Sequence, residues 1–175
     1  IRGVLVVDEA YADFADATAM PLATSEPNVL VMRTLSKSYS LAGLRFGYAV
    51  GSAELIHGLM KVKDSYNCDA LAIAAARAAL DDQAWMKRNV DRIKTERSRL
   101  TADLRSLGFT VLDSRANFVM AGPPDGDAEG LYRKLKERGI LVRYFNRPRI
   151  DRFVRVTVGA PEETDALMAA VKSLT

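Results

Sequence analysis

Cysteine and histidine each occur once, as Cys68 and His57. A single cysteine excludes an internal disulfide framework and suits a reducing compartment, so a cytoplasmic location is expected. One cysteine with one histidine also excludes a Cys/His zinc site. Long apolar runs are missing: no stretch reaches the roughly 18 residues a membrane helix needs, so no membrane partner is expected. An excess of one charge is missing too. Twenty-five Lys and Arg face 22 Asp and Glu, a net charge of +3. These charges are interspersed rather than blocked, which gives no ground for a nucleic-acid partner. The chain opens Ile1-Arg2-Gly3, without Met and without a signal-peptide pattern. Internal repeats are absent.

What is present is the composition of a folded chain. Hydrophobic residues make up 49% and charged residues 27% of 175 residues, which excludes whole-chain disorder. Val4-Leu5-Val6-Val7 is a short continuous apolar run, expected as a strand buried on both faces in the manner of parallel sheets. Val29 to Met32 and Phe46 to Val50 read as two further strands. Ser52 is placed to cap a helix over 53–62. Three strands with one or two helices cannot cover both faces of such a sheet, so residues 1–80 are expected to be the remainder of a larger α/β domain. The alanine-dense stretch 70–80 predicts a helix. Residues 81–107 predict one long connecting helix, in which Met86, Val90, Ile93, Leu100, Leu104 and Leu107 repeat at steps of four and three. Arg97 fills the one missing slot, and the broken heptad argues for packing within the protein rather than a coiled coil. Gly108 ends that helix.

Residues 108–175 predict a small α+β domain. Phe109 to Leu112, Asn117 to Met120, Ile140 to Val142 and Phe153 to Val158 are its strands. Asp127 caps a helix that Gly139 ends, and Pro161 opens the last one.

Chemistry concentrates in Thr34-Leu35-Ser36-Lys37 and Leu41-Ala42-Gly43-Leu44-Arg45-Phe46-Gly47. A lysine just past a strand, flanked by hydroxyls and followed eight residues on by an arginine, combines an anion site with an amine. Partial burial favours the neutral amine of such a lysine, the form that makes a Schiff base. The first strand ends in Asp8-Glu9-Ala10-Tyr11, and carboxylates at the carboxyl end of a parallel strand face the crevice where such folds bind ligands. Arg155 alternates with Val154 and Val156, so it stands on the opposite face of its strand.

Those segments, with Phe153-Val154-Arg155-Val156-Thr157-Val158-Gly159 and Pro161-Glu162-Glu163, resemble fold-type I pyridoxal-phosphate aminotransferases. The resemblance runs in order through essentially all 175 residues and corresponds to the later half of that family's chain. Within the family, Leu41-Ala42-Gly43-Leu44-Arg45 and the stretch Thr157 to Glu163 are most similar to the histidinol-phosphate branch. The resemblance implies a mainly parallel sheet domain that binds pyridoxal 5′-phosphate. Lys37 would hold the cofactor covalently and carry protons, and Asp8 would pair with the pyridine nitrogen. Tyr11 would donate to the phenolic oxygen, and Thr34, Ser36 and Arg45 would hold the phosphate. Arg155 would bind the substrate anion with Arg143 as its helper. The implied substrates are histidinol phosphate or imidazole acetol phosphate, with glutamate or 2-oxoglutarate, handled by a homodimer. The family's glycine-rich phosphate segment, stacking aromatic and phenolic-oxygen asparagine all lie upstream of this chain's first residue. Two alternatives stand beside this reading. One is another fold-type I enzyme, such as an aromatic aminotransferase or a phospho-amino-acid decarboxylase. The other is a non-catalytic dimerisation module. Arg147, Arg149 and Arg152 are expected to be solvated or to steer the phosphate, and Cys68 is expected to be a small buried residue.

Overall fold

The computed structural model describes residues 2–174. They form two compact units that divide within one helix, between Val90 and Asp91.

In the first unit, β1 (Leu5–Asp8) pairs in parallel with β2 (Val29–Thr34), and β2 pairs antiparallel with β3 (Gly47–Gly51). One short helix, α1 (Met20–Ser25), lies between β1 and β2 in sequence. Strand alternation sorts the side chains. Leu5 and Val7 of β1 join Val29 and Val31 of β2 and Ala23 of α1 in a small core, with Val50 packed against it. The opposite side of β1 is not buried: Val4 and Val6 are 53% and 50% exposed. The expectation of a strand buried on both faces is therefore corrected to one buried face. On the other face, the side on which Asp8 lies, Leu30 of β2 is buried, and Val4 and Val6 line an open cavity with Leu55 and Leu59 from the segment after β3.

After β3 comes α2 (Ala53–Val62), capped as expected by Ser52, whose hydroxyl accepts from the Leu55 amide at 3.3 Å. Helix α3 (Ala70–Asp81) is capped by Asp69. Cys68, in the link between these helices, is exposed, contrary to the expectation of a buried thiol. The long helix α4 (Gln83–Ser106) starts two residues later than the periodicity suggests. Asp82 interrupts the run, and its carboxylate accepts from the Trp85 amide at 3.0 Å, an N-cap that separates α3 from α4.

The second unit holds a four-stranded antiparallel sheet in the order β4 (Thr110–Val111), β5 (Phe118–Gly122), β7 (Val154–Thr157), β6 (Arg143–Tyr144). Helices α5 (Ala128–Glu137) and α6 (Pro161–Lys172) complete it. Its core joins Leu100 and Leu104 of α4, Val119 and Ala121 of β5, Leu131 and Leu135 of α5, Val154 and Val156 of β7, and Leu167 and Val171 of α6. Each fully buried leucine or valine contributes about 1.5–3 kcal/mol. The α4 stripe is thus spent inside the protein. Arg97, its odd member, donates to the Ala116 carbonyl at 2.7 Å, and burial lowers the pKa of its guanidinium. Gly108 ends α4 at φ +82°, a conformation that glycine adopts without strain. The Ile140 to Val142 run is not a strand. Pairing begins only at Arg143, and Leu141 is 78% exposed.

Candidate active site

Parallel pairing of β1 with β2 brings the ends of both strands to one place. On the side away from the core, Asp8, Met32, Thr34, Gly47 and Ala49 line an open depression of about 550 Å³, with Ser36, Lys37 and Arg45 at its border. Five of the residues expected in the site (Asp8, Thr34, Ser36, Lys37 and Arg45) share this depression. Tyr11, at the start of the short 3-10 turn Ala12–Phe14, places its ring centroid 5.4 Å from Lys37 Nζ.

Asp8 accepts from the Ala10 amide through Oδ1 at 3.0 Å. Thr34 Oγ1 is 2.9 Å from Ser36 Oγ and accepts from the Ser36 amide at 3.1 Å, so the two hydroxyls are held as a pair. Arg45 sits at φ 55°, in the left-handed region, and its Nη1 donates to the Ala42 carbonyl at 2.9 Å. That turn projects the rest of the guanidinium into solvent at the depression's edge. The floor must remain bare at Gly47: a Cβ there would lie 2.8 Å from the Arg33 carbonyl oxygen.

Glu9 does not face the crevice, contrary to the expectation for both carboxylates of the Asp8-Glu9 pair. Alternation turns it inward, where it is 8% exposed. There it accepts from Arg33 Nε at 2.8 Å, from the Thr18 hydroxyl at 2.8 Å and from the Ala19 amide. Burial acts to raise the Glu9 pKa, but the Ala19 amide, the Thr18 hydroxyl and Arg33 outweigh it and hold the carboxyl below its ordinary value. Arg33 also donates to Asp13 at 2.6 Å and to Thr18 at 2.9 Å. Beside this group, burial pushes the Tyr48 phenol up, with Arg33 opposing. Sequence reasoning missed Arg33, Asp13 and Ser38. For Arg33 the one signal was the two-residue step from Val7 to Glu9 and from Val31 to Arg33, which continues the inner face of the paired strands; Asp13 and Ser38, outside the strands, had none.

The second unit brings the other two expected residues together. Arg143 on β6 is the direct cross-strand partner of Arg155 on β7. The Arg155 guanidinium carbon lies 5.3 Å from the Phe118 ring centroid and 5.6 Å from that of Phe145, and Arg143 lies 5.3 Å from the same Phe145 ring. Stacking holds both cations. Arg155 Nε is buried without a hydrogen-bond partner, a donor available to an anion. Val154 and Val156 are buried on the opposite face of β7. Arg147, Arg149 and Arg152 are exposed.

The first unit thus gathers a lysine, a carboxylate, two hydroxyls and a guanidinium around one depression of an α/β sheet. The chain belongs to the family described as aminotransferase class I and II, whose sequence profile matches residues 2–171. Among its relatives, histidinol-phosphate aminotransferase 1 of Nostoc sp. is 51% identical over 174 residues, 99% of this chain and 49% of that protein. The histidinol-phosphate aminotransferase of Gluconacetobacter diazotrophicus is 53% identical over 171 residues, 94% of this chain and 48% of that protein. The crystal structure of histidinol-phosphate aminotransferase from Sinorhizobium meliloti in complex with pyridoxal-5′-phosphate superposes with a TM-score of 0.87 at 31% identity, over 98% of this chain and 50% of that one. The chain thus spans about half the length of the relatives it matches.

Proposed function

We propose that the complete protein is a pyridoxal-phosphate-dependent aminotransferase that moves an amino group between glutamate and imidazole acetol phosphate, yielding 2-oxoglutarate and histidinol phosphate. The carrying observation is that Asp8, Thr34, Ser36, Lys37 and Arg45 line one depression. That donor set fits the cofactor. It offers an amine for an aldehyde, a carboxylate for a protonated ring nitrogen, and hydroxyls with a guanidinium for a phosphate, over a floor kept flat by Gly47 and Ala49. The two named relatives support the choice of substrate.

When bound, the cofactor supplies an electron sink that makes the substrate Cα proton acidic. The chain's residues do the rest. Asp8 keeps the ring nitrogen protonated by charge. Thr34, Ser36 and Arg45 anchor the phosphate. Tyr11 donates to the phenolic oxygen and shields the Lys37 amine, which carries the proton at Nζ. We assign Arg155 as the anion clamp and Arg143 as a second charge. The two half-reactions are sequential, so one arginine pair serves the glutamate carboxylate and then the larger charge of the phosphate. We further propose that the protein works as a homodimer in the cytoplasm. Among the described residues, no helix is long and apolar enough to cross a membrane.

The test follows the visible spectrum of the complete protein through each half-reaction. Glutamate should change the spectrum, and imidazole acetol phosphate should restore it. Restoration by an aromatic oxo acid but not by imidazole acetol phosphate would overturn the substrate assignment.

A further inference from the structure

The Lys37 side chain is long and flexible, carrying about 2 kcal/mol of rotamer entropy. Aiming its amine requires a fixed main chain. Residues 35–41 provide one through an unusual set of anchors. Leu35 and Ser38, on either side of Lys37, are 0% and 1% exposed. The Leu35 amide donates to the Phe46 carbonyl at 3.1 Å, and the Leu41 amide donates back to the Leu35 carbonyl at 3.1 Å. The Ser40 amide donates to the Lys37 carbonyl itself at 3.1 Å, with Ser40 in the left-handed region at φ 56°.

Ser38 is tied at both ends. Its hydroxyl donates to Asp13 Oδ2, and its carbonyl accepts from Asn89 Nδ2 at 2.8 Å. Asp13 is held in turn by Arg33, which Glu9 and Thr18 fix in place. A chain of charge-assisted hydrogen bonds thus runs from the buried end of β1 to the residue next to Lys37. Neither Asp13 nor Ser38 is among the residues that line the depression.

We propose that Asp13 and Ser38, backed by Arg33 and Asn89, are positioning residues that fix the main chain of Lys37 and thereby aim its amine. The proposal rests on Lys37 being the cofactor lysine. It assigns the pair to neither cofactor nor substrate: they act through the loop. Misplacing a reacting group by about 1 Å costs up to a hundredfold in rate. Loosening the loop therefore lowers turnover without removing any group that touches substrate.

The experiment uses the complete protein loaded with pyridoxal phosphate, as wild type, Ser38→Ala, Asp13→Ala, the double variant, Asp13→Asn and Asn89→Ala. Four quantities are read: visible circular dichroism per unit of cofactor absorbance, kcat for glutamate, KM for glutamate, and the thermal midpoint. Ser38→Ala and Asp13→Ala should each lower the dichroism and reduce kcat by about tenfold to a hundredfold, with KM little changed. The double variant should be no worse than the worse single one, since both break the same bond. Asp13→Asn can accept from Arg33 through its one oxygen and donate through its NH2 to the Ser38 hydroxyl, and should recover most of the signal. Asn89→Ala is the mild variant, available if the others fold poorly, and should move dichroism and kcat in the same direction by a smaller factor. Unchanged dichroism and kcat in Ser38→Ala or Asn89→Ala, or losses that multiply in the double variant, would overturn the proposal. Covalent mapping of the cofactor in wild type separates this from a failure of the Lys37 assignment, because label on another lysine refutes that assignment whatever the variants do.

Discussion

Glu9 and Arg33 form the last rung of the inner face of the β1–β2 pair, two residues beyond Val7 and Val31, which are cross-strand partners. The same strand ends carry Asp8 and Thr34 on the outer face. One pair of strands therefore presents an ionic lock inward and a ligand site outward.

That lock sets an acid limit. The Glu9 pKa is held below its ordinary value of 4.5. A carboxyl depressed in the folded state contributes stability that is fully present above the unfolded value and is lost as pH falls through the folded one. Glu96 behaves likewise: Arg99 hydrogen bonds lower its pKa against the opposing effect of burial. Thermal midpoints measured from pH 6 downward should be flat to about 4.5 and then fall. Glu9→Gln should lower the midpoint near neutral pH by removing one of the two carboxylates that face half-buried Arg33, at a cost of about 1–3 kcal/mol, and should flatten the acid limb.

Gly47 is confined by the main chain opposite it. A Cβ at 2.8 Å from the Arg33 carbonyl oxygen has backbone, not a flexible side chain, to displace. Gly47→Ala should cost about 1–3 kcal/mol in unfolding measurements. Because Gly47 pairs with Thr34, the same variant should weaken pyridoxal-phosphate binding in equilibrium dialysis.

Asp8 tests the division between folding and chemistry. It is exposed, and its carboxylate accepts from the Ala10 amide. Asp8→Asn should leave the thermal midpoint within about 0.5 kcal/mol of stability. It should remove most of the turnover, because an amide cannot hold a pyridine nitrogen protonated by charge. Near-full activity would make Asp8 a surface carboxylate.

Much of this was legible from residue order. Ser52, Asp127 and Pro161 announced their helices because capping is local chemistry: the Asp127 carboxylate does accept from the Gly130 amide at 2.8 Å, and Pro161 is the first residue of α6. Thr34, Ser36, Lys37 and Arg45 were visible because they crowd into twelve consecutive residues, 34–45. The failures were non-local. Ile140 to Val142 looked like a strand by hydrophobicity, but Ile140 and Val142 pack against the second unit's core without pairing. Cys68 looked buried by residue type, but it lies exposed in the link between α2 and α3. The Glu9–Arg33–Asp13–Ser38 chain depends on strand register and on partners 24 and 25 residues apart, which no local pattern encodes.

Arg155 and Arg143 should separate the two substrates. Arg155→Lys keeps the charge but loses the planar fork and the stacking between Phe118 and Phe145, so both half-reactions should slow. Arg143→Ala should impair imidazole acetol phosphate more than glutamate, because the phosphate carries the larger charge. Equal small losses for both substrates, read in single-turnover measurements, would reduce Arg143 to long-range steering.

The central claim is that Lys37 carries the cofactor. Borohydride reduction of the complete protein loaded with pyridoxal phosphate, followed by peptide mapping, tests it directly. The reduced cofactor should be found on Lys37; label on Lys61 or Lys63, with Lys37 unmodified, would contradict it.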